Sequence, residues 1–381
     1  MVNLKIALVT DTYFPRVNGV STSTKIFSET FKKMGYEVHI YAPHYSDDEE
    51  TSTTVHRFPS WYLWFDPEDR VARTSNPALI KSFIEEKFDI VHTQTPFTLG
   101  KAAITWGRQT QSKIIHTYHT LFTSYVEHYL WFIPKLVSIP WTRRYSRTYC
   151  NACDRIIAPS QAMKQELLSY HIEKPIDVVP TGIDVDKFEG KNPVRFRNKY
   201  GFNSSDRILL FMGRVAKEKN IDFLLKVFEG LNNKVTHLRL LIAGEGPDKK
   251  RLMNLVQKMK LEKKVFFVGY LRDEDWKDCY AAADIFIFAS ITETQGLVVT
   301  EAMMAGTPVV AVSAMGVKDV MQEERGGILV KLDVEDFTNA IFKLLTNTDL
   351  YEQKKSETII EAQKWSSMEM AKKMIKIYES L

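Results

Sequence analysis

The feature that most constrains this chain is a regular alternation of short apolar strands and amphipathic helical segments, repeated in two blocks. In the first block, a strand at Lys5–Val9 precedes a helix at Ser21–Met34, which Gly35 ends as a C-cap. In the second block, a strand at Arg207–Met212 precedes a helix at Asp222–Leu231. Such alternation is typical of parallel sheets with right-handed crossovers. The sequence therefore predicts an α/β fold with two doubly wound domains.

The rest of both blocks follows the same pattern. The other predicted strands are Glu37–Ala42, Phe88–His92, Lys113–Thr117, Arg155–Ala158, Asp177–Val179, Leu238–Ala243, Lys264–Val268, Asp284–Ala289 and Pro308–Val312. The polar segment Asp184–Tyr200 separates the blocks and is interpreted as a linker. We expect an N-terminal domain at residues 1–190 and a C-terminal domain at 191–364. Ligands of such sheets bind at the carboxyl ends of the strands.

Several classes of protein are excluded by cysteine content and hydropathy. Three cysteines in 381 residues do not make a disulfide scaffold. Cys150 and Cys153 form a C-x-x-C pair, but a zinc site needs four ligands, so we interpret them as packed thiols. No signal peptide is visible, and the longest low-charge stretch, Tyr129–Thr142, is shorter than the roughly 20 residues that span a bilayer. We expect the chain on the cytoplasmic side.

The most specific motif follows the predicted strand that ends at Ala289. Glu293 lies in a polar loop, Gly296 begins a helix, and Glu301 lies about a turn and a half into that helix. A helix N-terminus at a strand end directs N–H groups towards an anion. Isolated glutamates would be ordinary surface residues, but here A-G-T-P follows the pair at Ala305–Pro308. The combination predicts a phosphate and sugar site.

This pattern resembles the E-x7-E region of family 4 retaining glycosyltransferases, which have the GT-B fold of two Rossmann-like domains facing across a cleft. The resemblance implies that Glu301 holds the ribose of the nucleotide and that Glu293 lies beside the hydroxyls of the donor sugar. Arg214 and Lys219, in F-M-G-R-V-A-K-E-K-N, match the family's cations for the leaving diphosphate. The remaining expected donor-binding residues are Gly246, Gly269, Tyr270, Thr294, Gln295, Gly296 and Leu297.

The N-terminal block carries further parts of the same resemblance. Gly19 matches the family's glycine loop at the donor phosphates, and His119 matches a histidine that touches the donor sugar. Thr181 stands where the family's P-N-G-I-D turn has asparagine, so the amide side chain of that turn is absent here. The final helix, residues 365–381, is expected to pack on the N-terminal domain, as it does in GT-B enzymes.

The mechanism that the resemblance implies is glycosyl transfer with retention. Glu293 orients the sugar, while Arg214, Lys219 and the helix N-terminus stabilise charge on the departing diphosphate. With His119, these are the expected catalytic residues. An Asp-x-Asp does occur at Asp184–Asp186, but in the inter-domain turn, so no metal or other cofactor is expected.

The acceptor side is suggested by an uneven distribution of charge. Residues 101–150 carry seven lysines and arginines and one glutamate, which gives +6, whereas the whole chain is +4. Aromatic residues lie in the same segment, a composition that suits an interface with anionic membrane lipids. Core aromatics with a solvated basic face, or binding to nucleic acid, are the alternatives; two domains facing across a cleft argue against nucleic acid. The expected acceptor and membrane residues are Trp61, Trp64, Tyr125, His128, Trp131, Phe132, Trp141, Arg143, Arg144 and Arg147.

Local motifs narrow the resemblance further. Three local features resemble those of bacterial diacylglycerol glycosyltransferases. They are the motifs D-T-Y-F-P-R-V-N-G-V and H-T-Q-T-P-F-T-L-G and the Gln295 of E-T-Q-G. The hypothesis is a peripheral enzyme at the cytoplasmic face of the cell membrane that moves glucose or galactose from a UDP-hexose to diacylglycerol. The alternatives are a family 4 hexosyltransferase that acts on a phosphatidylinositol-type lipid or a soluble acceptor, and a non-catalytic nucleotide-sugar-binding protein. The oligomeric state stays open.

Overall fold

The chain forms two compact units. The computed structural model describes residues 4–46, 52–63, 66–123 and 135–381. Unit 1 comprises Met1–Gly182 and Ser367–Leu381, and unit 2 comprises Ile183–Ser366. The division therefore falls eight residues before the boundary expected from the sequence.

Unit 1 is built on a seven-stranded parallel sheet in the order β3-β2-β1-β6-β7-β8-β9. Its strands are β1 Lys5–Val9, β2 Glu37–Pro43, β3 Val55–Phe58, β6 Ile90–Thr93, β7 Lys113–Thr117, β8 Arg155–Ala158 and β9 Ile176–Val178. A separate antiparallel pair is formed by β4 Ser60–Leu63 and β5 Asp66–Ala72. The helices are α1 Gly19–Lys33, α2 Pro77–Glu86, α3 Thr98–Gln109, α4 Lys135–Asn151, α5 Gln161–Ser169 and, at the end of the chain, α14 Ser367–Glu379.

Unit 2 is built on a six-stranded parallel sheet in the order β12-β11-β10-β13-β14-β15. Its strands are β10 Arg207–Met212, β11 Leu238–Ala243, β12 Val265–Gly269, β13 Ile285–Phe288, β14 Val309–Val312 and β15 Gly327–Val330. Its helices are α6 Pro193–Tyr200, α7 Ile221–Asn232, α8 Lys249–Lys258, α9 Asp273–Ala282, α10 Leu297–Met304, α11 Met315–Val320, α12 Val334–Thr346 and α13 Thr348–Gln363. Short 3-10 turns lie at Val185–Phe188, Lys217–Lys219 and Gln322–Glu324.

The final helix, α14, completes the core of unit 1. Met370, Met374 and Tyr378 are buried in one cluster with Leu8 and Phe31. The hydroxyl of Tyr378 also lies 2.6 Å from Nδ1 of the buried His92. Because these contacts join the last helix to β1, α1 and β6, unit 1 is discontinuous in sequence.

The segment Asp184–Tyr200, interpreted above as a linker, lies inside unit 2. Phe196 of α6 is fully buried in the unit 2 core. Arg195 pairs with Asp278 at 2.5 Å, and Arg197 pairs with Asp284 at 3.1 Å. The segment is rich in charged residues, but its arginines have partners far away in the sequence and its aromatic residues pack in the core. It can therefore lie inside unit 2 despite its polar composition.

The three cysteines are free and buried, so Cys150 and Cys153 are packed thiols at the junction of α4 and β8, as predicted. Burial raises the pKa of the Cys153 thiol to about 12. In the described parts of the chain, no helix is long and apolar enough to cross a membrane.

Candidate active site

The predicted donor-site residues of unit 2 gather at the switch point of its sheet. Strands β10 and β13 are neighbours, but the chain leaves them towards opposite ends of the strand order. At such a point the loops after the two strands diverge and leave a crevice at their carboxyl ends. Arg214 and Lys219 follow β10, and Glu293 follows β13.

Two hydrogen bonds fix the loops after β10 and β13 to each other. The side chain of Asn220 donates to the carbonyl oxygen of Ala289 at 2.9 Å, and the hydroxyl of Ser290 donates to the carbonyl oxygen of Glu218 at 3.1 Å. Asn220 adopts a left-handed conformation with φ of 53°, which asparagine tolerates better than most residues. Asn220 ends the quoted motif F-M-G-R-V-A-K-E-K-N, but its role is not predictable from the sequence, because its partner is 69 residues away.

Lys219 and Glu293 form a close ion pair in this crevice. Nζ of Lys219 lies 2.5 Å from Oε2 of Glu293, and the two side chains are only 19% and 22% exposed. Arg214 lies half-buried just after Gly213, at the end of β10. The structure thus places an ammonium group, a carboxylate and a guanidinium-bearing residue on adjacent loops, an arrangement suited to an anion with a hydroxylated group beside it.

The segment from Thr294 to Leu297 leads into α10. Gly296 precedes the helix with φ of +89°, a conformation that favours glycine. Gln295 is buried, whereas Thr294 and Leu297 are half-buried. The first N–H groups of α10 therefore begin directly after the loop that carries Glu293.

Glu301, on α10, is the most perturbed carboxylate of the unit. Burial raises its pKa to about 7, although a hydrogen bond from Tyr280 and the charge of Lys187 oppose the shift. The Tyr280 hydroxyl donates to Oε2 of Glu301 at 2.8 Å. Tyr280 lies on α9 and was not singled out by the sequence, because nothing in its local pattern differs from a core aromatic.

Gly246, Gly269 and Tyr270 lie at the same carboxyl edge. A Cβ atom on Gly246 would stand 2.3 Å from the carbonyl oxygen of Val215, so only glycine allows the loops after β10 and β11 to approach this closely. Gly269 ends β12 and precedes the exposed ring of Tyr270. Burial and the charge of Glu301 both raise the pKa of Tyr270, while Arg272 lowers it, which places this ring in the same electrostatic environment as Glu301.

In unit 1, Gly19 is the first residue of α1. Asn18 caps the helix by accepting from the Ser21 amide at 2.9 Å. A Cβ atom added to Gly19 would meet nothing within 4 Å. The chain itself therefore gives no steric reason for glycine, and the helix N-terminus stays open to a ligand.

His119 follows β7 and is held by Gln94, which belongs to the motif H-T-Q-T-P-F-T-L-G but has no role predicted from the sequence. Its Nε2 lies 2.9 Å from Oε1 of the buried Gln94. Because that oxygen only accepts, Nε2 carries the proton. Burial lowers the pKa of His119 to about 4, so the imidazole is neutral at pH 7 and suits hydrogen bonding to hydroxyls. Thr181 is bonded to Ser23 of α1 at 2.7 Å.

A buried carboxylate supports the same edge of unit 1. Asp11, just after β1, accepts from the hydroxyls of Thr95 and Thr98 and from the backbone amide of Leu99. It therefore caps α3 from a distance, since Phe97 at the cap position makes no side-chain bond.

The predicted acceptor surface is described only in part. On α4, Leu136, Val137 and Trp141 are 90%, 62% and 63% exposed. Arg143 and Arg144 are exposed on the following turn, and Arg147 is half-buried. Trp61 on β4 is exposed beneath the guanidinium of Arg73, 4.8 Å from its ring centroid. Five predicted residues lie outside the described parts of the chain: Trp64, Tyr125, His128, Trp131 and Phe132.

Among the described residues, one group has the spacing of metal ligands: Glu37, His39 and Glu86. The ammonium of Lys5 already lies 3.0 Å from Glu37 and is hydrogen-bonded to Glu86. Glu37 begins β2, so the group sits at the amino end of the strands, away from the carboxyl edge. A resident lysine supplies its positive charge, and we assign it no metal.

Comparison with known proteins gives matches along nearly the whole chain. Residues 17–187 match the family described as Glycosyltransferase Family 4, and residues 194–365 match Glycosyl transferases group 1. The chain is 31% identical to an alpha-monoglucosyldiacylglycerol synthase of Streptococcus pneumoniae, covering 94% of this chain and 82% of that protein. It is 29% identical to a GDP-mannose-dependent alpha-mannosyltransferase of Corynebacterium glutamicum, covering 89% and 79%. Among solved structures, Anabaena HepE in complex with UDP-glucose superposes with a TM-score of 0.78 at 17% identity, over 99% of this chain and 100% of that one.

Proposed function

Because the chain belongs to the family 4 glycosyltransferases and has their GT-B fold, we propose that it transfers a hexose from a UDP-sugar to 1,2-diacylglycerol with retention. That it is a glycosyltransferase using a nucleotide sugar follows from the family. The finer statement, a UDP-hexose donor and a diacylglycerol acceptor, rests first on the relative named alpha-monoglucosyldiacylglycerol synthase. The HepE complex with UDP-glucose supports the choice of nucleotide.

The observation that carries the donor side is the Lys219–Glu293 pair at the switch point. In the proposed complex the diphosphate takes the ammonium of Lys219 and the guanidinium of Arg214, and the carboxylate of Glu293 accepts from sugar hydroxyls. Glu301 accepts from the ribose hydroxyls. The backbone amides at the start of α10 add donors at the phosphate end.

The reaction breaks the bond between the anomeric carbon and the β-phosphate oxygen. The acceptor hydroxyl oxygen forms the new bond on the same face, and its proton passes to the departing phosphate oxygen. Stabilisation of charge on the diphosphate by Lys219, Arg214 and the helix N-terminus is the main contribution of the protein. We propose that no metal is required, since these groups supply the positive charge.

The surface that supports a membrane-bound acceptor is the exposed face of α4. The apolar side chains of Leu136, Val137 and Trp141 come first along the helix, and Arg143 and Arg144 follow one turn later. Apolar groups suit the acyl boundary and arginines suit the headgroup phosphates. Each cation near an anionic surface contributes about 1 kcal/mol. We place the enzyme peripherally, on the cytoplasmic face.

A second candidate is a family 4 hexosyltransferase that acts on a different acceptor, such as a phosphatidylinositol-type lipid or a soluble molecule. The relative named as a GDP-mannose-dependent alpha-mannosyltransferase favours keeping it, because the family fold serves more than one donor and acceptor. A non-catalytic nucleotide-sugar-binding protein is disfavoured, because the cations and both glutamates of the motif are present.

The test is transfer from radiolabelled UDP-glucose or UDP-galactose to diacylglycerol in vesicles that contain anionic phospholipid. We expect a monoglycosyldiacylglycerol of α configuration, formed in the presence of a chelator. Lys219→Ala should lower the affinity for UDP roughly 10- to 100-fold, as expected for a lost charged hydrogen bond. Lys217→Ala is the matched control, because Lys217 is exposed in the same 3-10 turn.

Failure would take distinct forms. Donor hydrolysis without a lipid product would point to another acceptor. Activity only after addition of manganese would contradict the metal-free mechanism. Absence of UDP binding by the unmodified protein would contradict the donor site itself.

A further inference from the structure

We propose that Gly316, which no motif above includes, is a positioning residue for the donor sugar. It supports the sugar-binding loop, residues 293–296, through contacts with the backbone of that loop. This inference rests on the proposed function, since it assumes that the loop contacts the sugar of a UDP-hexose.

Gly316 lies on α11, which follows β14, the strand beside β13. Its backbone N–H donates to the carbonyl oxygen of Glu293 at 3.1 Å. A Cβ atom on Gly316 would stand 2.4 Å from both Cα of Gln295 and the carbonyl oxygen of Thr294. These are backbone atoms, so no side-chain rotation relieves the clash, and any larger residue must displace the loop.

The end of the loop is held by the next residue of α11. A Cβ atom on Gly296 would lie 3.3 Å from Cγ2 of Val317, which is fully buried. Met315, on the other side of Gly316, has φ of +41°. A residue with a side chain adopts this conformation only where its surroundings impose it. The start of α11 is therefore tightly fitted against the sugar-binding loop at both ends.

The diphosphate side has different supports. The backbone around Lys219 is fixed through Asn220 and Ala289 and through Glu218 and Ser290, which lie outside the sugar-binding loop, although the ammonium of Lys219 bonds to Glu293 of that loop. A substitution at Gly316 should therefore move the backbone of Glu293–Gly296 while it leaves the loop of Lys219 in place. The expected signature is a larger loss for the UDP-hexose than for UDP, because the Lys219–Glu293 pair and the first amides of α10 pass only part of the displacement to the diphosphate.

The experiment compares Gly316→Ala with Gly230→Ala in the full chain. Gly230 is the matched control, because it lies in α7 of the same unit and a Cβ atom there has only Thr338 within 4 Å, at 3.7 Å or more. Dissociation constants are measured by calorimetry for UDP and for whichever of UDP-glucose and UDP-galactose the parent protein transfers, together with kcat and KM for transfer. For Gly316→Ala we expect a loss of roughly tenfold or more in kcat/KM for the UDP-hexose and a clearly smaller loss of affinity for UDP, since small misplacements near the reacting atoms are costly.

Val317→Ala provides a second route should Gly316→Ala not fold. It removes both γ methyl groups, including the Cγ2 that faces Gly296, without adding any atom, and we expect smaller losses that again fall more on the UDP-hexose than on UDP. Equal losses for UDP and UDP-hexose, or no loss for either ligand, would overturn the positioning role. A parent protein that binds neither ligand would instead refute the proposed function.

Discussion

Burial in unit 2 brings the pKa of Glu301 into the neutral range, where the charge of this residue can be tested. Its pKa is raised to about 7, so the carboxyl group is largely protonated below that pH and ionised above it. An ionised carboxylate accepts hydrogen bonds from both ribose hydroxyls, whereas the protonated form loses part of this capacity.

We therefore predict that the affinity for UDP rises with pH through about 7. Glu301→Gln should flatten this dependence, because the amide does not titrate. Tyr280→Phe should shift the rise to higher pH, since the Tyr280 hydrogen bond lowers the pKa of Glu301. Calorimetric titration with UDP between pH 6 and 8.5 measures all three, and a rise of the same size in Glu301→Gln would contradict the assignment.

Site residues that belong to a local motif could be predicted from the sequence, whereas the roles of residues that act through long-range contacts could not. The spacing of Glu293 and Glu301 is visible in the sequence, whereas Tyr280 and Gln94 act on Glu301 and His119 across 21 and 25 residues. Asp11 caps a helix that begins 87 residues later. Such supports depend on which strands become neighbours, and a single sequence does not contain that information.

At the scale of the elements, a substitution at Gly19 tests whether the N-terminus of α1 binds the donor phosphates. Gly19→Ala adds a methyl group where the chain has free space and where a helix tolerates alanine well. The thermal unfolding temperature should change little. If the donor phosphates approach the backbone here, affinity for the UDP-hexose should fall several-fold, or about 1 kcal/mol. Unchanged affinity would remove Gly19 from the donor site.

The exposed face of α4 makes a separate prediction. Arg144→Glu combined with Arg147→Glu should lower the affinity for anionic vesicles, measured by sedimentation, by at least tenfold, because it reverses two charges near the membrane surface. Lys372→Glu with Lys373→Glu, on the exposed side of α14, makes the same change in net charge within unit 1. Equal loss in both variants would indicate a general charge effect rather than a surface on α4.

The long apolar strands were the easiest part to predict, whereas β3, β4, β5 and β15 were missed. Three strands, Lys5–Val9, Arg207–Met212 and Leu238–Ala243, are predicted with the bounds that the structure shows, because buried parallel strands are nearly continuous apolar runs. Asp184–Tyr200 was misread as a linker, since its polar composition hides the burial of Phe188 and Phe196 and the partners of its arginines.

At the scale of the molecule, unit 1 should be the acid-sensitive part. Burial lowers the pKa of His92 well below its ordinary value, that of His116 to about 3 and that of His119 to about 4. In the unfolded chain these rings take up protons near pH 6.5. The free energy of unfolding should therefore fall as the pH drops below 6.5, by up to about 1.4 kcal/mol per pH unit for each histidine.

His119→Gln should reduce the dependence of the unfolding free energy on pH by the contribution of one histidine, up to about 1.4 kcal/mol per pH unit. Hydrogen exchange of the buried amides of β6 and β7, measured between pH 5 and 6.5, reports the stability of unit 1 itself. Asp11 titrates in the opposite sense, because burial raises its pKa, but it is the same in both proteins and drops out of the comparison. An unchanged slope would show that His119 is not buried in its neutral form.

The parallel architecture of the whole chain was predictable from the two blocks of strands and helices, and the observed sheets confirm it. The position of the division was harder to predict. It depends on which core receives Ile183 and the aromatic residues after it, and a single sequence does not contain that information.

The return of α14 to unit 1 has a consequence for how the protein is made. A ribosome synthesises all of residues 183–366 before it adds Ser367–Leu381. Unit 2 is continuous, so its whole sequence is synthesised before unit 1 is complete. Until α14 is added, the apolar surface around Leu8 and Phe31 in unit 1 stays uncovered. The half that begins the chain is therefore the last to close, and a nascent chain that stalls before residue 367 presents that surface to chaperones and proteases.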